Sequence, residues 1–415
     1  MSRSTREWRQ SRWTNEELTV LKRVLLGVCL LFVLIGTTAC TMPWAKNDKQ
    51  QTLKNTKKSK NENITIVSSD DKKDYQFWHS DKTSPSRGYI TFGVNNRLDI
   101  NELEMGLMRL SKDVYDPGKY YFQGGDYIST DLIDEMLARK LVKGESADLP
   151  SVNKQGLNPP YGKGSDIGKQ ATANPKELSY VLEQDYLSKD GKLGGISLAI
   201  SMNSVYSQSI FYNKTGKTYP VDVTLDKNKQ MQKGKSYANE VLQRIRQVKG
   251  LGDVPVFIAL YIESAPGYDA PGHFYAVGTA SGSAHSISKW KGTGENNVLF
   301  PSDEADNKYA DYSDKFNTFK SKITNYFPNY TDVIGQGFIV GNKLQNLTMN
   351  ITINFFDETE IVSFANYVSS LLQNNNPFDV PIQINIGDAT SQPEAVIDEQ
   401  TGVDKPFVYI YGATH

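Results

Sequence analysis

The chain has 415 residues, with 46 Lys and Arg against 47 Asp and Glu and a formal net charge of −1. This balance excludes the clearly basic domain on which nucleic-acid binding usually depends, while 38% hydrophobic and 11% aromatic residues are normal for a globular protein with a sizeable core. Both cysteines, Cys29 and Cys40, fall within the first 40 residues, so the rest of the chain can form no disulfide, cysteine nucleophile or thiolate-bound metal site.

The first 40 residues carry the pattern of an export signal. A basic pair at 22–23 precedes an apolar run at 24–35, and small residues then lead to Ala39 and Cys40. A basic start, an apolar centre and a small-residue end are the three parts of a secretory signal. The run is too short to span about 30 Å of hydrocarbon as a helix, which takes roughly 20 residues.

A cysteine directly after a small residue is typical of bacterial lipoprotein signals. We therefore expect a lipoprotein acyltransferase to add diacylglycerol to the Cys40 thiol, and the signal peptidase to cut between Ala39 and Cys40. The mature protein would then be lipid-anchored on the extracellular face of the cell membrane and contact membrane lipid through acylated Cys40. An uncleaved membrane anchor is the alternative. Without residues 1–39 the net charge is about −4.

Residues 40–75 are predicted to be the lipidated cysteine and a disordered tether. Between residues 45 and 63 only Ala45 and Leu53 are apolar, so this stretch cannot bury enough surface to offset the entropy lost on ordering. It holds six Lys and two acidic residues. The tether is either a solvated spacer or a segment attracted to anionic lipid.

An N-terminal α+β domain is predicted for residues 76–225. Apolar residues bounded by Gly and Asn indicate strands, and a polar residue before an apolar stripe indicates the start of a helix. The predicted elements of its first half are a strand at 89–94, a helix opened by Asp99 and Glu102, a strand at 120–122, and a helix capped by Ser129 or Thr130.

The second half of this domain begins with a polar segment at 141–173, which predicts a long irregular loop. Loops of this length are usually functional or disordered. Asn174, Pro175 and Glu177 then predict the start of a helix, because Asn accepts bonds from first-turn amides and Pro fits the first helical position. Strands are predicted at 193–200 and 219–225.

A C-terminal α+β domain is predicted for residues 226–415 from three successive helix–strand–strand units. These are a helix at 236–249 with strands at 254–262 and 273–280, a helix at 311–327 with strands at 332–341 and 347–356, and a helix after Asp357 with strands at 381–387 and 406–411. Strict apolar–polar alternation at 347–356 indicates a sheet with one solvated face. We therefore predict an α+β fold of two domains, with largely antiparallel sheets covered by helices on one face.

Many short segments in the same order resemble the CamS family, the sex-pheromone lipoproteins of Gram-positive bacteria. Besides the lipoprotein signal and the Lys/Asn-rich tether, they are GYITFGVNNRLDINELEMGLMRLSKDVY at 88–115, YYFQGGDYIS at 120–129, GLNPPYG at 156–162, NPKELSYVLEQDYL at 174–187, KLGGISLAISMNSVY at 192–206, and VPVFIALYIESAPG with DAPGHFYAVG at 254–278. The resemblance runs from the signal to about residue 411.

The resemblance implies that the freed signal peptide is the functional product. In this family a membrane protease trims it, the stretch just before the cysteine leaves the cell as a hydrophobic peptide, and plasmid-bearing recipients respond to it by conjugation. The mature protein of the family has no established activity. The candidate pheromone here is Phe32, Val33, Leu34, Ile35, Gly36, Thr37, Thr38 and Ala39, or the same peptide without Phe32.

Motifs for catalysis, cofactors or metals are not found in the sequence. The four histidines lack zinc-ligand spacing, no Gly-x-Ser-x-Gly is present, and the glycines at 162–168 and 292–297 predict loop and turn rather than phosphate sites. Paired carboxylates at 70–71 and 303–304 fit solvated charge, and His273 is predicted to open a strand. We therefore expect no catalytic residue, no metal, no cofactor and a non-enzymatic protein, with the mature ligand undefined.

A surface binding module, or an unrecognised cell-wall hydrolase, is the alternative for the mature domain. Its site would be the loop at 141–173 together with the Tyr-rich strands, in which Tyr120, Tyr121 and Phe122, or Tyr409 and Tyr411, line a groove for sugar or peptide. Packing of these rings in the core is the simpler interpretation.

Overall fold

The structure is a computed structural model that describes residues 74–78, 84–85, 99–326, 330–354, 357–373, 376–388 and 393–411. All of them belong to one compact unit, Asn63–His415. The predicted signal, the strand at 89–94 and residues 40–73 of the predicted tether lie outside the described residues. Tyr75, the last residue of the predicted tether, is instead buried in the first core. Within these ranges, no helix combines the length and the apolar character needed to cross a membrane.

Strands and helices are interspersed along the described chain. The strands are β1 Gln76–Phe77, β2 Tyr120–Gly124, β3 Arg139–Lys140, β4 Val152–Asn153, β5 Leu178–Ser188, β6 Leu193–Met202, β7 Val205–Tyr212, β8 Lys217–Thr224, β9 Val256–Ile262, β10 His273–Ala280, β11 Lys291–Gly292, β12 Glu295–Phe300, β13 Tyr330–Val340, β14 Lys343–Ile353, β15 Ile382–Gly387, β16 Pro393–Glu399 and β17 Phe407–Ile410. The helices are α1 Ile100–Ser111, α2 Thr130–Leu137, α3 Ile167–Ala173, α4 Lys227–Ile245, α5 Asp303–Lys308, α6 Ala310–Tyr326 and α7 Glu358–Gln373.

The first sheet has the spatial order β1-β2-β5-β6-β9-β10-β11. Its neighbours are antiparallel except β1/β2 and β6/β9, which are parallel. A Cβ on Gly106 of α1 would meet the Phe274 ring, whereas one on Gly234 of α4 would lie 3.4 Å from Met202 Cγ. Phe274 pairs with Tyr261, which pairs with Ser201, the residue before Met202. Because successive side chains of a strand point to opposite faces, α1 and α4 lie on opposite faces of this sheet, so its helices cover two faces rather than one.

The second sheet has the order β12-β13-β14-β15-β16-β17, with only β14/β15 parallel. In β14 the alternate residues Leu347, Met349 and Ile351 are buried, as the alternating pattern predicts. Helices α6 and α7 supply the opposing apolar residues, including Phe316 and Phe364. The α+β class with largely antiparallel sheets is thus confirmed.

A small third core lies beside the first sheet. The hairpin β7/β8 packs against α3 through a cluster that includes Tyr161, Ile167, Tyr206 and Val221. The short parallel pair β3/β4 adjoins it. The segment predicted as an irregular loop at 141–173 therefore contains β4 and ends in a helix, α3.

The helix predicted from Asn174 is wrong, because the residues that follow form strand β5. Asn174 instead ends α3 as its C-cap residue. Nearly every residue of Leu178–Ser188 is buried, since β5 is an inner strand covered on both faces. Because both faces of β5 are buried, apolar residues do not alternate with exposed polar ones, and such a segment cannot be told from a buried helix by its period alone.

Two further predictions need correction. The turn predicted at 292–297 runs into strand β12, whose polar residue Asn297 is buried and donates from Nδ2 to the Gly272 carbonyl oxygen at 2.6 Å.

The domain boundary placed at 225–226 falls inside the first sheet, because β6 before it pairs with β9 after it. The change from the first sheet to the second comes between β11 and β12, where the helix–strand–strand rhythm gives no signal.

Candidate functional site

The predicted processing site lies outside the described residues. The structure describes neither Ala39 and Cys40 nor the candidate pheromone at 32–39, so lipid attachment, cleavage and peptide release stay predictions. The described part of the chain therefore bears on the second question, which is where the mature domain presents a site.

A pocket of about 370 Å³ lies between α1 and strands β2 and β5. Its apolar lining consists of Phe77, Met105, Met108, Phe122 and Leu182, and its polar lining includes Glu104 and Gln184. Gln184 Nε2 donates to the Glu104 carbonyl oxygen at 2.8 Å, which fixes the amide at the pocket wall. A mostly apolar pocket with a few fixed polar groups is the usual form of a small-ligand site.

The Tyr-rich strands contribute unequally to such a surface. Phe122, one residue of the predicted groove at 120–122, lines the pocket. Tyr409 and Tyr411 lie in the second sheet, half exposed, and pack edge to face with ring centroids 5.1 Å apart. The structure therefore does not place them with Phe122 in one groove.

Two buried carboxyl groups, Glu183 and Asp185, lie on the face of β5 opposite Gln184. Glu183 Oε2 accepts from the amides of Tyr127 and Ile128 at 3.2 and 2.9 Å, and Asp185 Oδ2 accepts from the Asp126 amide at 3.0 Å. Burial raises the pKa of both carboxyls, and the negative charge of Glu183 raises the pKa of Asp185 further. The pair therefore keeps a proton that two exposed carboxyls would lose.

The loop between β2 and α2 can approach this pair because residue 125 is glycine. A Cβ at Gly125 would lie 2.4 Å from Glu183 Cβ and 2.6 Å from its Oε2. Only a residue without a side chain lets three successive amides, those of 126 to 128, reach the two carboxyls. The buried pair is therefore held in place by backbone donors.

A second group of ionisable side chains surrounds Arg139, which is fully buried. Its guanidinium carbon lies 4.5 Å from the Tyr161 ring centroid and 5.4 Å from that of Tyr206. Arg139 Nη1 donates to the carbonyl oxygens of Pro159 and Asn174 at 3.1 and 2.5 Å. Within the described ranges, Nε and Nη2 have no hydrogen-bond partner. The guanidinium is therefore a buried positive charge with only some of its donors paired.

Lys176 is the neighbouring cation and is also buried. Burial, and then repulsion from Arg139, lower the pKa of Lys176 to about 7. Its Nζ lies 2.8 Å from Ser151 Oγ. At slightly alkaline pH this lysine is therefore largely a neutral amine beside a hydroxyl group.

The predicted histidine positions form no metal centre in the part of the chain that the structure describes, where no group of three His, Cys, Asp or Glu residues could hold a metal ion. His273 opens β10, half buried, as predicted. Burial, with a smaller contribution from Lys227, lowers the pKa of His273 to about 4. The imidazole is therefore neutral near pH 7.

Sequence reasoning did not single out Glu183, Asp185, Lys176, Arg139 or Ser151. A signal was present for the first two, because both charges interrupt the apolar run of β5. A charged residue inside a buried strand is rarely left without a partner. Ser151 and Arg139 carry no comparable local signal, since their importance depends on contacts that the fold creates.

Together the fold and these sites define an α+β protein of two sheets, with a ligand-sized apolar pocket and two buried clusters of ionisable side chains. Residues 82–405 match the family described as CamS sex pheromone cAM373 precursor. The chain therefore belongs to the CamS family, as the sequence resemblance predicted.

Two solved structures support the same assignment. A sex pheromone precursor from Lactobacillus salivarius subsp. salivarius UCC118 is 31% identical, with a TM-score of 0.69 over 83% of this chain and 97% of that one. The C-terminal domain of the sex pheromone staph-cAM373 precursor from Staphylococcus aureus is 27% identical, with a TM-score of 0.60 over 76% of this chain and 97% of that one. A search of curated proteins gave no significant match.

Proposed function

We propose that this chain is a membrane lipoprotein whose signal segment releases a short hydrophobic pheromone that induces plasmid conjugation. Family membership supports the pheromone part of the proposal. The observation that carries the anchoring part is the order of a basic pair, an apolar run, small residues and Cys40. In this proposal the mature domain stays on the outer face of the membrane, and the pheromone function requires no enzymatic activity of it.

The proposed peptide has the chemistry of a pheromone that fills an apolar receptor pocket. Residues 32–39 carry no charged side chain and begin with Phe32, Val33, Leu34 and Ile35. Each such side chain contributes about 1.5–3 kcal/mol when it is fully buried. Four of them together contribute about 6–12 kcal/mol, which is comparable to the entropy cost of binding.

Cys40→Ala is expected to abolish incorporation of labelled palmitate, because no other thiol is predicted to receive the lipid. Cys29→Ala is the matched control, since Cys29 lies within the apolar run and should be removed with the signal; this variant should keep the label. The measurement is metabolic labelling followed by gel fluorography of the immunoprecipitated protein. Equal labelling of the wild type and Cys40→Ala would contradict the lipoprotein assignment.

Mass spectrometry of the culture supernatant tests the pheromone separately. The expected product is the peptide 32–39 or 33–39, ending at Ala39, and it should induce conjugation in plasmid-bearing recipients when synthesised. If the protein is lipidated but no such peptide appears in the medium, the lipid anchor is retained as a proposal and the pheromone is rejected.

The pocket beside α1 supports a second function, the binding of an apolar ligand by the mature domain. Met105 lines the pocket and is 58% exposed, so Met105→Glu changes the lining without disturbing the core. We expect an uncharged apolar dye such as Nile red to bind about tenfold more weakly to this variant. Val362→Glu, an exposed change on α7, should bind it as the wild type does. Identical dye titrations for all three proteins would exclude this pocket as the binding site.

A further inference from the structure

Ser151 has an unusual backbone and an exposed side chain. Its φ is +53°, in the left-handed region that non-glycine residues rarely adopt and that is enriched at functional sites. The position is held from both sides: the Arg139 amide donates to the Ser151 carbonyl oxygen at 2.8 Å, and the Tyr161 hydroxyl donates to the Pro150 carbonyl oxygen at 3.0 Å. Ser151, an exposed residue, is therefore held on a fixed backbone.

Lys176 approaches the same hydroxyl from the protein interior. The 2.8 Å distance from Nζ to Ser151 Oγ is within the range for a nucleophile and its general base. The charged groups that act on Lys176 are Arg139 of β3, which disfavours its protonation, and Asp134 of α2, which opposes this weakly. An amine that is neutral above pH 7 can accept a proton from a serine.

We propose that Ser151 and Lys176 form a nucleophile–base pair that transfers the acyl group of an ester or amide. This activity is independent of the proposed pheromone function, because it concerns the mature domain alone. Serine–lysine pairs are one of the known variants of the serine nucleophile and its base. No sequence motif marks the pair, since Ser151 and Lys176 lie 25 positions apart in the chain.

The reaction uses groups that the chain supplies. Ser151 Oγ bonds to the carbonyl carbon while its proton passes to the neutral Lys176 amine. The bond from that carbon to the leaving oxygen or nitrogen then breaks, and the leaving atom takes the proton from the Lys176 ammonium. Water releases the acyl group by the same proton route and restores the serine hydroxyl. The nearby positive charge of Arg139 favours the negatively charged intermediate.

A purely structural role for Ser151, as an acceptor for a buried ammonium, explains its distance from Lys176 Nζ. It does not explain why Ser151 is exposed or why its φ is positive. Such an acceptor requires neither solvent exposure nor a left-handed φ. A second serine–lysine contact provides a contrast: Ser165 Oγ lies 3.2 Å from Lys169 Nζ, and both residues are exposed. Because Lys169 lies at the surface, this second contact lacks the buried amine that the Ser151 contact has.

The test is covalent labelling of the full-length protein, purified in detergent, with a fluorophosphonate, which forms an Oγ–phosphorus bond and releases fluoride. Peptide mapping should place the label on Ser151. The labelling rate should rise with pH to a plateau above an inflection near pH 7, the value to which burial lowers the pKa of Lys176. Lys176→Arg, which stays protonated, should lower the rate about 100-fold and remove the inflection.

Ser151→Ala should lose the label, whereas Ser165→Ala should be labelled like the wild type. Because a change at buried Lys176 can impair folding, the pH profile of the wild type and the exposed Ser151→Ala variant decide the matter by themselves. Absence of label on Ser151 between pH 6 and pH 10, or a rate without an inflection near pH 7, would overturn the proposal. Hydrolysis of p-nitrophenyl acetate should follow the same pattern across the variants.

Discussion

Asp185→Ala is expected to lower the free energy of unfolding by about 3 kcal/mol at pH 4, whereas Asp185→Asn should change it at that pH by less than about 1 kcal/mol. Alanine leaves the Asp126 amide without its acceptor and removes the proton that Asp185 shares with Glu183. Asparagine keeps an acceptor oxygen for that amide and offers an N–H in place of the carboxyl proton. Both variants lack the carboxyl charge, so the difference between their free energies of unfolding measures the contribution of the hydrogen bonds.

The same residue should give the stability a defined pH dependence. The folded-state pKa of Asp185 is raised, by burial and then by Glu183, so the folded protein holds a proton that the unfolded chain releases near pH 4. The stabilisation is therefore complete below about pH 4 and is lost as the pH rises toward the folded-state pKa. Between pH 5 and pH 8, the free energy of unfolding should fall less steeply with pH in Asp185→Asn than in the wild type, by up to about 1.4 kcal/mol per pH unit.

Urea denaturation of the wild type and both variants at several pH values measures these effects. Other groups with shifted pKa values, among them Glu263, Lys176 and His273, are common to all three proteins, so their contributions cancel in the difference. Asp190→Asn is the control for a carboxylate outside the core. A wild-type slope equal to that of Asp185→Asn would show that Asp185 is ionised in the folded state.

Elements with a regular period were predictable from the sequence. Alternation in β14 and the 3.6-residue stripes of α4, α6 and α7 identify these elements because each packs a single face. Strand β5 was not predictable in this way, because it is buried on both faces and shows no alternation. Strand β12 was missed because polar residues such as Glu295 and Asn297 resemble a turn, and their buried partners are distant in sequence.

The candidate sites depend on pairing between distant segments. Arg139, Ser151 and Lys176 meet only because β3 pairs with β4 and α3 ends where β5 begins. The pocket residues Met105, Phe122 and Leu182 come from three separate elements. The processing signal differs in kind, because its information is local: a short stretch around Cys40 carries the whole pattern, which is why sequence alone predicts it.

Among the ion pairs, we expect the one between Arg109 and Glu295 to give the largest loss of stability when it is removed. Arg109 Nε and Nη2 donate to Glu295 Oε1 and Oε2 at 3.2 and 3.1 Å, and Nη2 also donates to Glu102 Oε1 at 3.2 Å. The guanidinium carbon lies 4.5 Å from the Phe338 ring centroid. Since Arg109 belongs to α1 and Glu295 and Phe338 to the second sheet, this contact joins the two sheets.

Arg109→Ala should lower the free energy of unfolding by about 2–3 kcal/mol, because it leaves the carboxylate of Glu295 buried and unpaired. The Glu295 side chain is only 5% exposed, but that of Arg109 is 38% exposed, so the loss should fall below the range for a fully buried pair. Arg109→Lys should lose about half as much, since an ammonium cannot make the two parallel bonds.

A double-mutant cycle with Glu295→Gln tests the pairing directly. Adding Glu295→Gln to Arg109→Ala should recover more than about 1 kcal/mol, because the second change removes the unpaired charge. Lys112→Ala is the matched control: Lys112 follows the same helix and pairs with Asp74, a residue 70% exposed, so its loss should stay below about 1 kcal/mol. Strictly additive changes at 109 and 295 would mean that packing against Phe338, rather than the carboxylate, accounts for the contribution of Arg109.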